Sequence, residues 1–408
     1  MTKALIIGGG VAGPAAAMAL QHAGIESTVY EAYPQTREDV GSYLTVATNG
    51  LDALGAIDAH RAVLSAGFPT RHIVLLSGTG KRLGKVPIGG TLQNGTVSTT
   101  IKRARLHRAL QEEAIKRGIG FEFDKRLVDA EAEPHGGGGV VARFDDGTQA
   151  TGDLLIGCDG VRSTVRRLID STAPAGRYVG LVNFGGYTRD LAVPVEQGVW
   201  HMIFGKRAFF GYVVDPGGGV VWFANVPRGE VSESKRQATT NEQWKRHLIE
   251  LFTNDHGPAA QLIAAGELDL AADNTHDLPS VPKWQKGSTI IIGDAAHAPS
   301  PTSGQGASMA LEDAVILAKC LRDFSSMSEA FATYERLRRQ RVERIVAEGA
   351  RQSSNKAAGP LGRIARDVML PWIFAFLVTE KSLAWMYDHH IEWDRPVVPD
   401  ATGPVARR

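Results

Sequence analysis

The N-terminal stretch Lys3-Ala-Leu-Ile-Ile-Gly8-Gly9-Gly10-Val11-Ala12-Gly13 decides how this chain begins to fold. An apolar run that ends abruptly in glycine is typical of a buried parallel strand followed by a tight turn. Val11 to Ala23 is then predicted to be a helix that ends at Gly24, and Ser27 to Tyr30 to be a second strand. Strand, glycine turn, helix and strand together predict one βαβ unit.

The glycine turn fits the pattern G-x-G-x-x-G of dinucleotide-binding turns. In this pattern Gly8 permits the turn, Gly10 lets backbone approach a pyrophosphate, and Gly13 lets the helix lie close to the sheet. The pyrophosphate would then face the N-terminal N–H groups of that helix. Glu31 follows at about the spacing expected of a carboxylate that binds ribose hydroxyls, and it would repel the 2′-phosphate of NADP.

Composition excludes several other classes of protein. The chain has 408 residues, 43% hydrophobic and 22% charged, with a formal net charge of +1. We therefore expect a globular protein of two or three lobes, without a nucleic-acid partner or a polybasic membrane anchor. Glycines interrupt the apolar N-terminus and Pro371 interrupts the later apolar stretch, so neither a signal peptide nor a membrane span is expected.

The cysteine content also bears on the class of protein. The chain has two cysteines, Cys158 and Cys320, which are expected to be buried thiols in a reducing cytoplasm rather than a disulfide framework. The Cys and His residues show no spacing of a metal site, so no metal is expected. These features predict a cytoplasmic protein.

Two later loops also place acidic residues at the ends of predicted strands. Asp159-Gly160 follows the strand Asp153–Cys158, and Gly293-Asp294 follows the strand Ser288–Ile292. Ligands bind at this end of the strands in open α/β sheets. Taken alone, Asp159-Gly160 is equally consistent with a plain turn. Asp294 could accept hydrogen bonds from a polyol such as a ribityl chain, and the helix predicted from Gly306 to Leu321 could stabilise a flavin anion at its N-terminus.

These three motifs, in this order, resemble those of the class A flavoprotein monooxygenases, the aromatic hydroxylases related to 4-hydroxybenzoate hydroxylase. The resemblance covers about residues 3–345. It implies FAD as cofactor, NADPH or NADH as transient reductant, and O₂ as co-substrate. The implied reaction is the hydroxylation or other mono-oxygenation of an aromatic or polycyclic small molecule through a flavin C4a-hydroperoxide. The flavin carries this chemistry, so no catalytic side chain is predicted.

The resemblance also assigns cofactor contacts to residues of this chain. It implies contacts with the pyrophosphate, the adenosine ribose, the ribityl chain and the pyrimidine edge of the flavin by Gly8, Gly10, Ala12, Gly13, Glu31, Ala32, Arg103, Asp159, Gly160, Asp294, Pro301, Gly304, Gln305, Gly306, Ala307 and Ser308. Arg103 is expected just before a helix predicted at Arg105–Arg117. The chain departs from the family at Gly41–Leu44, where Tyr43 stands beside the expected ring position. His297 is interpreted as structural, and Glu312-Asp313 as part of a helix surface or lobe contact.

The predicted fold is α/β with three parts. A discontinuous Rossmann-like FAD-binding domain comprises residues 1–70, 101–175 and 281–345. An inserted antiparallel-sheet substrate domain comprises 71–100 and 176–280, and a C-terminal helical region comprises 346–408. Aromatic and apolar residues on the inserted strands together suggest a large, mostly apolar pocket, although sheet core is the simpler interpretation of any single one. The candidates for substrate contact are Tyr43, Phe184, Met202, Phe204, Phe210, Tyr212 and Trp222.

Two other functions are compatible with the sequence. The same fold could serve a non-oxygenating flavoenzyme, such as a reductase or cyclase of secondary metabolism. A halogenase is disfavoured because the chain has no Trp-x-Trp-x-Ile motif. A flavin-binding regulatory or interaction module would need an exposed surface such as the region from Trp372 to Trp385, although packing of this region on the core is the simpler interpretation. The oligomeric state, monomer or homodimer, is left open.

Overall fold

The computed structural model describes residues 2–35, 41–133, 138–356, 367–373 and 378–398. Its strands are β1 Lys3–Ile7, β2 Glu26–Tyr30, β3 Tyr43–Val46, β4 Phe68–Pro69, β5 His72–Ser77, β6 Arg82–Pro87, β7 Thr99–Lys102, β8 Gly120–Glu122, β9 Leu127–Ala132, β10 Val140–Phe144, β11 Gln149–Gly152, β12 Leu154–Gly157, β13 Arg177–Thr188, β14 Val199–Phe204, β15 Phe209–Val214, β16 Val220–Pro227, β17 Glu267–Asp277, β18 Gln285–Lys286 and β19 Thr289–Ile291.

The helices alternate with these strands in the first third of the chain and dominate its end. They are α1 Ala12–His22, α2 Thr48–Gly55, α3 His60–Ala66, α4 Arg103–Lys116, α5 Thr164–Ile169, α6 Glu233–Ala238, α7 Asn241–Phe252, α8 Ala259–Ala265, α9 Gly306–Asp323, α10 Met327–Lys356 and a C-terminal helix Glu380–Tyr387. Short 3₁₀ turns occupy Gly293–Ala295 and Pro301–Ser303. Within the described ranges, no helix is both long and apolar enough to cross a lipid bilayer.

A six-stranded sheet gathers distant parts of the chain in the order β18-β19-β12-β1-β2-β8. All neighbouring strands are parallel except the β18–β19 pair. Strand β1 lies inside the sheet, and its residues Ala4 to Ile7 are buried because helices cover both sheet faces in this class of fold. Helix α1 packs against α9, and its many small residues permit this close approach. The predicted α/β fold is confirmed.

A seven-stranded sheet forms the second layer, in the order β17-β13-β16-β15-β14-β5-β6. Its strands come from residues 72–87 and 177–277, and it is antiparallel except for the parallel β5–β14 pair. Helices α7 and α8 pack on one face and close a core with Trp244, Leu248 and Leu262. Two three-stranded sheets, β11-β10-β9 and β3-β7-β4, complete the architecture.

The C-terminal part differs from a simple helical region. Helix α10 runs through the predicted boundary at residues 345 and 346, so the domain limits stay a prediction. The C-terminal helix packs its Met386 into the main core, and residues 388–398 follow without helix. Trp372, in the helical stretch 367–373, has 69% of its surface exposed. Residues 357–366, 374–377 and 399–408 of the predicted region lie outside the described residues.

Candidate active site

The carboxyl ends of β1, β2, β12 and β19 bring the predicted motifs to one edge of the six-stranded sheet. Gly8 follows β1, Glu31 follows β2, Asp159 closely follows β12, and Gly293-Asp294 closely follows β19. Because these four strands are mutually parallel, their carboxyl ends share one edge. Residues as far apart in sequence as Gly8 and Asp294 therefore lie at the same edge, as expected for a ligand site at a sheet edge.

The glycine turn after β1 contains two glycines fixed by packing and one that faces open space. Gly8 has φ +107°, and a Cβ there would lie 2.5 Å from the carbonyl oxygen of Cys158. A Cβ on Gly13 would lie 1.9 Å from the carbonyl oxygen of Gly8, so only glycine fits. A Cβ on Gly10 would meet no atom of the described residues within 4 Å. The turn thus has a side-chain-free opening at the position where a pyrophosphate is expected.

Glu31 holds the shape of this turn through backbone amides. Its Oε2 accepts a hydrogen bond from the N–H of Gly9 at 2.5 Å, and its Oε1 accepts one from Tyr33 at 3.0 Å. Gln111 of α4 donates from Nε2 to the Gly9 carbonyl at 2.7 Å, a contact that no motif predicted. Ala32 lies next to Glu31 and is partly exposed. The predicted ribose carboxylate therefore also stabilises the glycine turn.

Asp159 has a structural role that the motif did not reveal. Its carboxylate accepts hydrogen bonds from Ser163 Oγ at 2.5 Å and from the N–H groups of Thr164 and Val165 at 2.7 and 3.1 Å. It thus satisfies free N–H groups at the start of α5. Burial raises the pKa of Asp159, although these hydrogen bonds oppose the shift. Gly160 follows with φ +77° and is partly exposed, so its backbone is the accessible part of this motif.

Asp294 differs from the other carboxylates at this edge. It is partly exposed, and its carboxylate makes no hydrogen bond to any residue in the described part of the chain. A Cβ on Gly306 would lie 3.9 Å from Asp294 Oδ1, which places this carboxylate beside the start of α9. Burial raises the pKa of Asp294, and the positive charge of Arg103 opposes this shift. Arg103 is exposed and begins α4 itself, two residues earlier than the sequence predicted.

The loop before α9 divides into inward and outward residues. Gln305 is fully buried, and its Oε1 accepts a hydrogen bond from Asn49 Nδ2 at 3.0 Å. Ser308 Oγ accepts one from the N–H of Ala47 at 3.0 Å. These two side chains connect the loop to α2 rather than to a ligand. The remaining predicted residues of this loop are exposed or partly exposed: Pro301, Gly304, Gly306 and Ala307.

Glu312 and Asp313 are fully buried, which corrects their predicted place on a helix surface or lobe contact. Arg338 of α10 contacts both: its Nη1 lies 2.6 Å from Glu312 Oε2, and its Nε lies 2.6 Å from Asp313 Oδ1. Arg341 binds Glu312 as well, at 2.8 and 2.9 Å. Burial would raise the pKa of Glu312, but Arg338 and Arg341 outweigh it and lower the pKa to about 2. His297 is buried and bonded to Asp313, as its structural interpretation required.

Four of the predicted substrate residues lie in the core that α7 and α8 cover. Phe184, Phe210, Tyr212 and Trp222 are at most 3% exposed and lie in the core between the seven-stranded sheet and α7 and α8. Side chains alternate between the faces of a strand, so these four share the helix-covered face. They form packing core and not a candidate substrate surface. The sequence alone did not reveal which face was covered.

The other face of the seven-stranded sheet carries the apolar surface that remains. Tyr43, Met202 and Phe223 pack against a buried cluster that contains Trp200, as do Tyr187 and Tyr387. The indole N–H of Trp200 points to the hydroxyls of Thr45 and Thr100, at 3.3 and 3.2 Å, which joins this face to the sheet β3-β7-β4. Phe204 lies two residues further along β14 and packs against the cluster of Leu75, Leu83 and Val86, which Met202 also contacts. Tyr43 and Met202 are therefore the predicted residues best placed for substrate contact.

A polar recess of about 390 Å³ adjoins Tyr43. Lys102 of β7 forms a 3.0 Å ion pair with Asp269 of β17 across the recess, and Tyr187 donates a hydrogen bond to Asp215 at 2.7 Å. The recess is lined by charges of both signs: Lys102, Arg105, Arg189, Asp215, Glu267 and Asp269. It combines polar groups with the aromatic cluster, as small-molecule sites commonly do.

Comparison with known proteins identifies the family. The FAD binding domain family matches residues 1–349 of the chain. The chain belongs to this family of FAD-binding flavoprotein monooxygenases. It is 30% identical over 348 residues to aurachin C monooxygenase/isomerase of Stigmatella aurantiaca, which covers 84% of this chain and 86% of that relative. It is 28% identical over 357 residues to FAD-dependent urate hydroxylase of Klebsiella pneumoniae, with coverage of 86% and 89%.

Solved structures agree with this assignment. The structure of a Klebsiella pneumoniae HpxO variant complexed with FAD superposes with a TM-score of 0.80 at 25% identity, covering 91% of this chain and 95% of that one. The family membership, the FAD cofactor and the activity as an FAD-dependent monooxygenase that the sequence predicted are confirmed. The individual cofactor contacts stay predictions.

The geometry of this flavoprotein monooxygenase fits FAD. Gly10 leaves room for backbone approach to a phosphate, the Asp294 carboxylate has no hydrogen-bond partner among the described residues, and α1 begins without a side-chain cap on its N–H groups. Sequence reasoning missed Gln111 and Phe223. Gln111 lies on an ordinary amphipathic helix and carried no signal, whereas Phe223 could have been found only by knowing which sheet face α7 and α8 cover.

Proposed function

We propose that this flavoprotein monooxygenase uses NADH or NADPH and O₂ to insert one oxygen atom into an aromatic or polycyclic small molecule. FAD, when bound, accepts a hydride from the nicotinamide and activates O₂ for transfer to the substrate. The chain itself has to bind, orient and exclude water from the reactants. The proposal rests on the carboxylate of Asp294, which is open to a ligand. At the same edge, the carboxylates of Glu31 and Asp159 accept hydrogen bonds from backbone N–H groups instead.

The proposed cofactor contacts follow the outward-facing groups at the sheet edge. Gly10 and the start of α1 would hold the pyrophosphate, and Glu31 with Ala32 the adenosine ribose. Asp294 would hold the ribityl hydroxyls, and Arg103 would add positive charge near them. Gly160, Gly304, Gly306 and Ala307 would offer backbone to the flavin. Asp159, Gln305 and Ser308 would support these loops through their internal hydrogen bonds.

The substrate would lie against the cluster of Tyr43, Trp200, Met202 and Phe223. Aromatic side chains present large flat apolar surfaces, so this cluster favours a planar ring system. The adjoining recess with Lys102 and Asp269 offers donors and acceptors to heteroatoms on the ring. The named activities of two relatives, on aurachin C and on urate, support nitrogen-containing bicyclic rings as the first compounds to test.

The test is a screen of purified, FAD-loaded protein against quinolones, purines and simple phenols. Substrates are expected to stimulate NADH or NADPH oxidation and O₂ consumption together, with one atom from isotopically labelled O₂ appearing in the product by mass spectrometry. Product formed with the nicotinamide omitted would instead favour a non-oxygenating reaction. Turnover of phenols while all bicyclic compounds fail would leave the proposed reaction intact and contradict the preference for nitrogen-containing bicyclic rings.

A further inference from the structure

We propose that Asp313 is a positioning residue for the cofactor, which acts through Asp294 and is itself held in place by Arg338. The inference rests on the proposed role of Asp294 in binding FAD. It concerns residues of α9 and α10 to which the family resemblance assigns no cofactor contact.

Asp313 connects directly to the loop that carries Asp294. Its Oδ2 accepts a hydrogen bond from the N–H of Gly293 at 2.9 Å, and the same oxygen lies 2.6 Å from His297 Nε2. Gly293 and His297 flank Asp294 in the sequence, so one carboxylate oxygen fixes both sides of the loop. Gly293 adopts φ +59°, a left-handed conformation that directs the chain away from β19 at this point.

Arg338 fixes the carboxylate of Asp313 from the other side. Its Nε donates to Asp313 Oδ1 at 2.6 Å, and both side chains are at most 1% exposed. Burial would raise the pKa of Asp313, but the charges of His297 and Arg338 outweigh it and hold this pKa well below its usual range. These contacts therefore favour the ionised carboxylate of Asp313, which is the form that accepts the hydrogen bonds from Gly293 and Arg338.

The neighbouring Glu312 extends the same cluster to the second loop. Asn49 Nδ2 donates to Glu312 Oε1 at 2.6 Å and to Gln305 Oε1 at 3.0 Å. Gln305 immediately precedes Gly306, beside which Asp294 lies. The buried ionic cluster of Glu312, Asp313 and Arg338 thus holds both the loop that carries Asp294 and the loop that ends at Gln305. In the loop that Asp313 fixes, the Asp294 carboxylate is the group that stays available for a ligand.

Buried ionic groups are costly unless every partner is satisfied, and they often contribute little net stability. The buried pair of Asp313 and Arg338 therefore fits a role in placing the Asp294 carboxylate rather than a role in stability alone. Partners that orient metal ligands typically contribute about tenfold or more to affinity, and the same logic applies to a carboxylate that binds hydroxyl groups. We expect Asp313→Asn to weaken FAD binding by about tenfold on this basis.

The experiment measures the dissociation constant of FAD by fluorescence quenching on apoprotein of the full chain. Asp313→Asn, Asp294→Ala and the double variant form a mutant cycle. The matched control is Asp323→Asn on the same helix, because Asp323 also binds an arginine and a backbone N–H but lies about 15 Å further along α9. The control is expected to keep wild-type FAD affinity. If Asp313→Asn does not fold, Arg338→Lys takes its place in the cycle.

The inference requires that Asp313→Asn weaken FAD binding in the wild-type background and have little effect once Asp294 is alanine. A merely structural role would give additive losses, and additive losses or wild-type affinity of Asp313→Asn would overturn the inference. If Asp294→Ala itself leaves FAD affinity unchanged, the proposed assignment of Asp294 fails first. An Asp294→Ala loss without an Asp313→Asn loss overturns only the positioning role.

Discussion

The ligand edge of the six-stranded sheet differs from the seven-stranded sheet in how well the type of a residue predicts its function. At the edge, geometry demands particular residues: a Cβ at Gly13 would collide with Gly8, and strand ends place carboxylates at fixed points. In the seven-stranded sheet, aromatic residues occupy both faces, with Trp222 under the helices and Phe223 on the opposite side. Residue type alone therefore marks a cofactor site but not a substrate pocket.

The largest expected effect tests the two faces of β16. Trp222→Ala removes a side chain that is 1% exposed, and it should lower the free energy of unfolding by about 3–5 kcal/mol. Phe223→Ala should cost clearly less, because Phe223 is partly exposed, and should raise KM for the substrate instead. Denaturant unfolding and steady-state kinetics measure the two effects. Equal stability losses, with KM unchanged in both variants, would contradict the assignment of faces.

The second effect tests the glycines of the first turn. Gly13→Ala places a Cβ 1.9 Å from the Gly8 carbonyl oxygen, and backbone must shift at a cost of about 3 kcal/mol in unfolding free energy. Gly10→Ala is the matched control, since its Cβ meets nothing within 4 Å in the described structure. This control should change apoprotein stability by less than about 1 kcal/mol while weakening FAD binding. Unchanged FAD affinity in Gly10→Ala would separate Gly10 from the cofactor.

Much of the fold could be predicted because its local rules agree. The unit from β1 to β2 combines an apolar run, a glycine turn and a helix ended by glycine, and the structure has the strand, helix and strand in that order. Strand β17 was missed because its sequence, which includes Asp269, Asp273 and Asn274, has no clean alternation of apolar and polar residues. Its place is decided by pairing with β13, a contact across about ninety residues.

The buried ionic cluster shows where sequence reasoning reached its limit. A Glu-Asp pair on a helix is usually solvated, and the burial of Glu312 and Asp313 depends on arginines that lie in the next helix. One signal was available: Arg338 and Arg341 are three residues apart and so share a face of α10. That spacing indicates a basic face but does not show which acids cover it, because the pairing is decided by helix packing.

The smallest expected effect separates the two acidic motifs at the edge. Asp159→Ala removes the acceptor for the N–H groups of Thr164 and Val165, and it should lower the free energy of unfolding by about 1 kcal/mol. Asp159→Asn keeps an acceptor oxygen and should restore most of this loss. Burial raises the pKa of Asp159 in the folded state, so the free energy of unfolding of the wild type falls as the pH rises from the unfolded-state pKa to the folded-state pKa. The amide of Asp159→Asn does not ionise and avoids this loss. Thermal unfolding at neutral pH with FAD titration measures both properties. A folded, stable Asp159→Asn that binds FAD as weakly as Asp294→Ala would mean that Asp159 touches the cofactor directly, and the contrast between the two carboxylates would be lost.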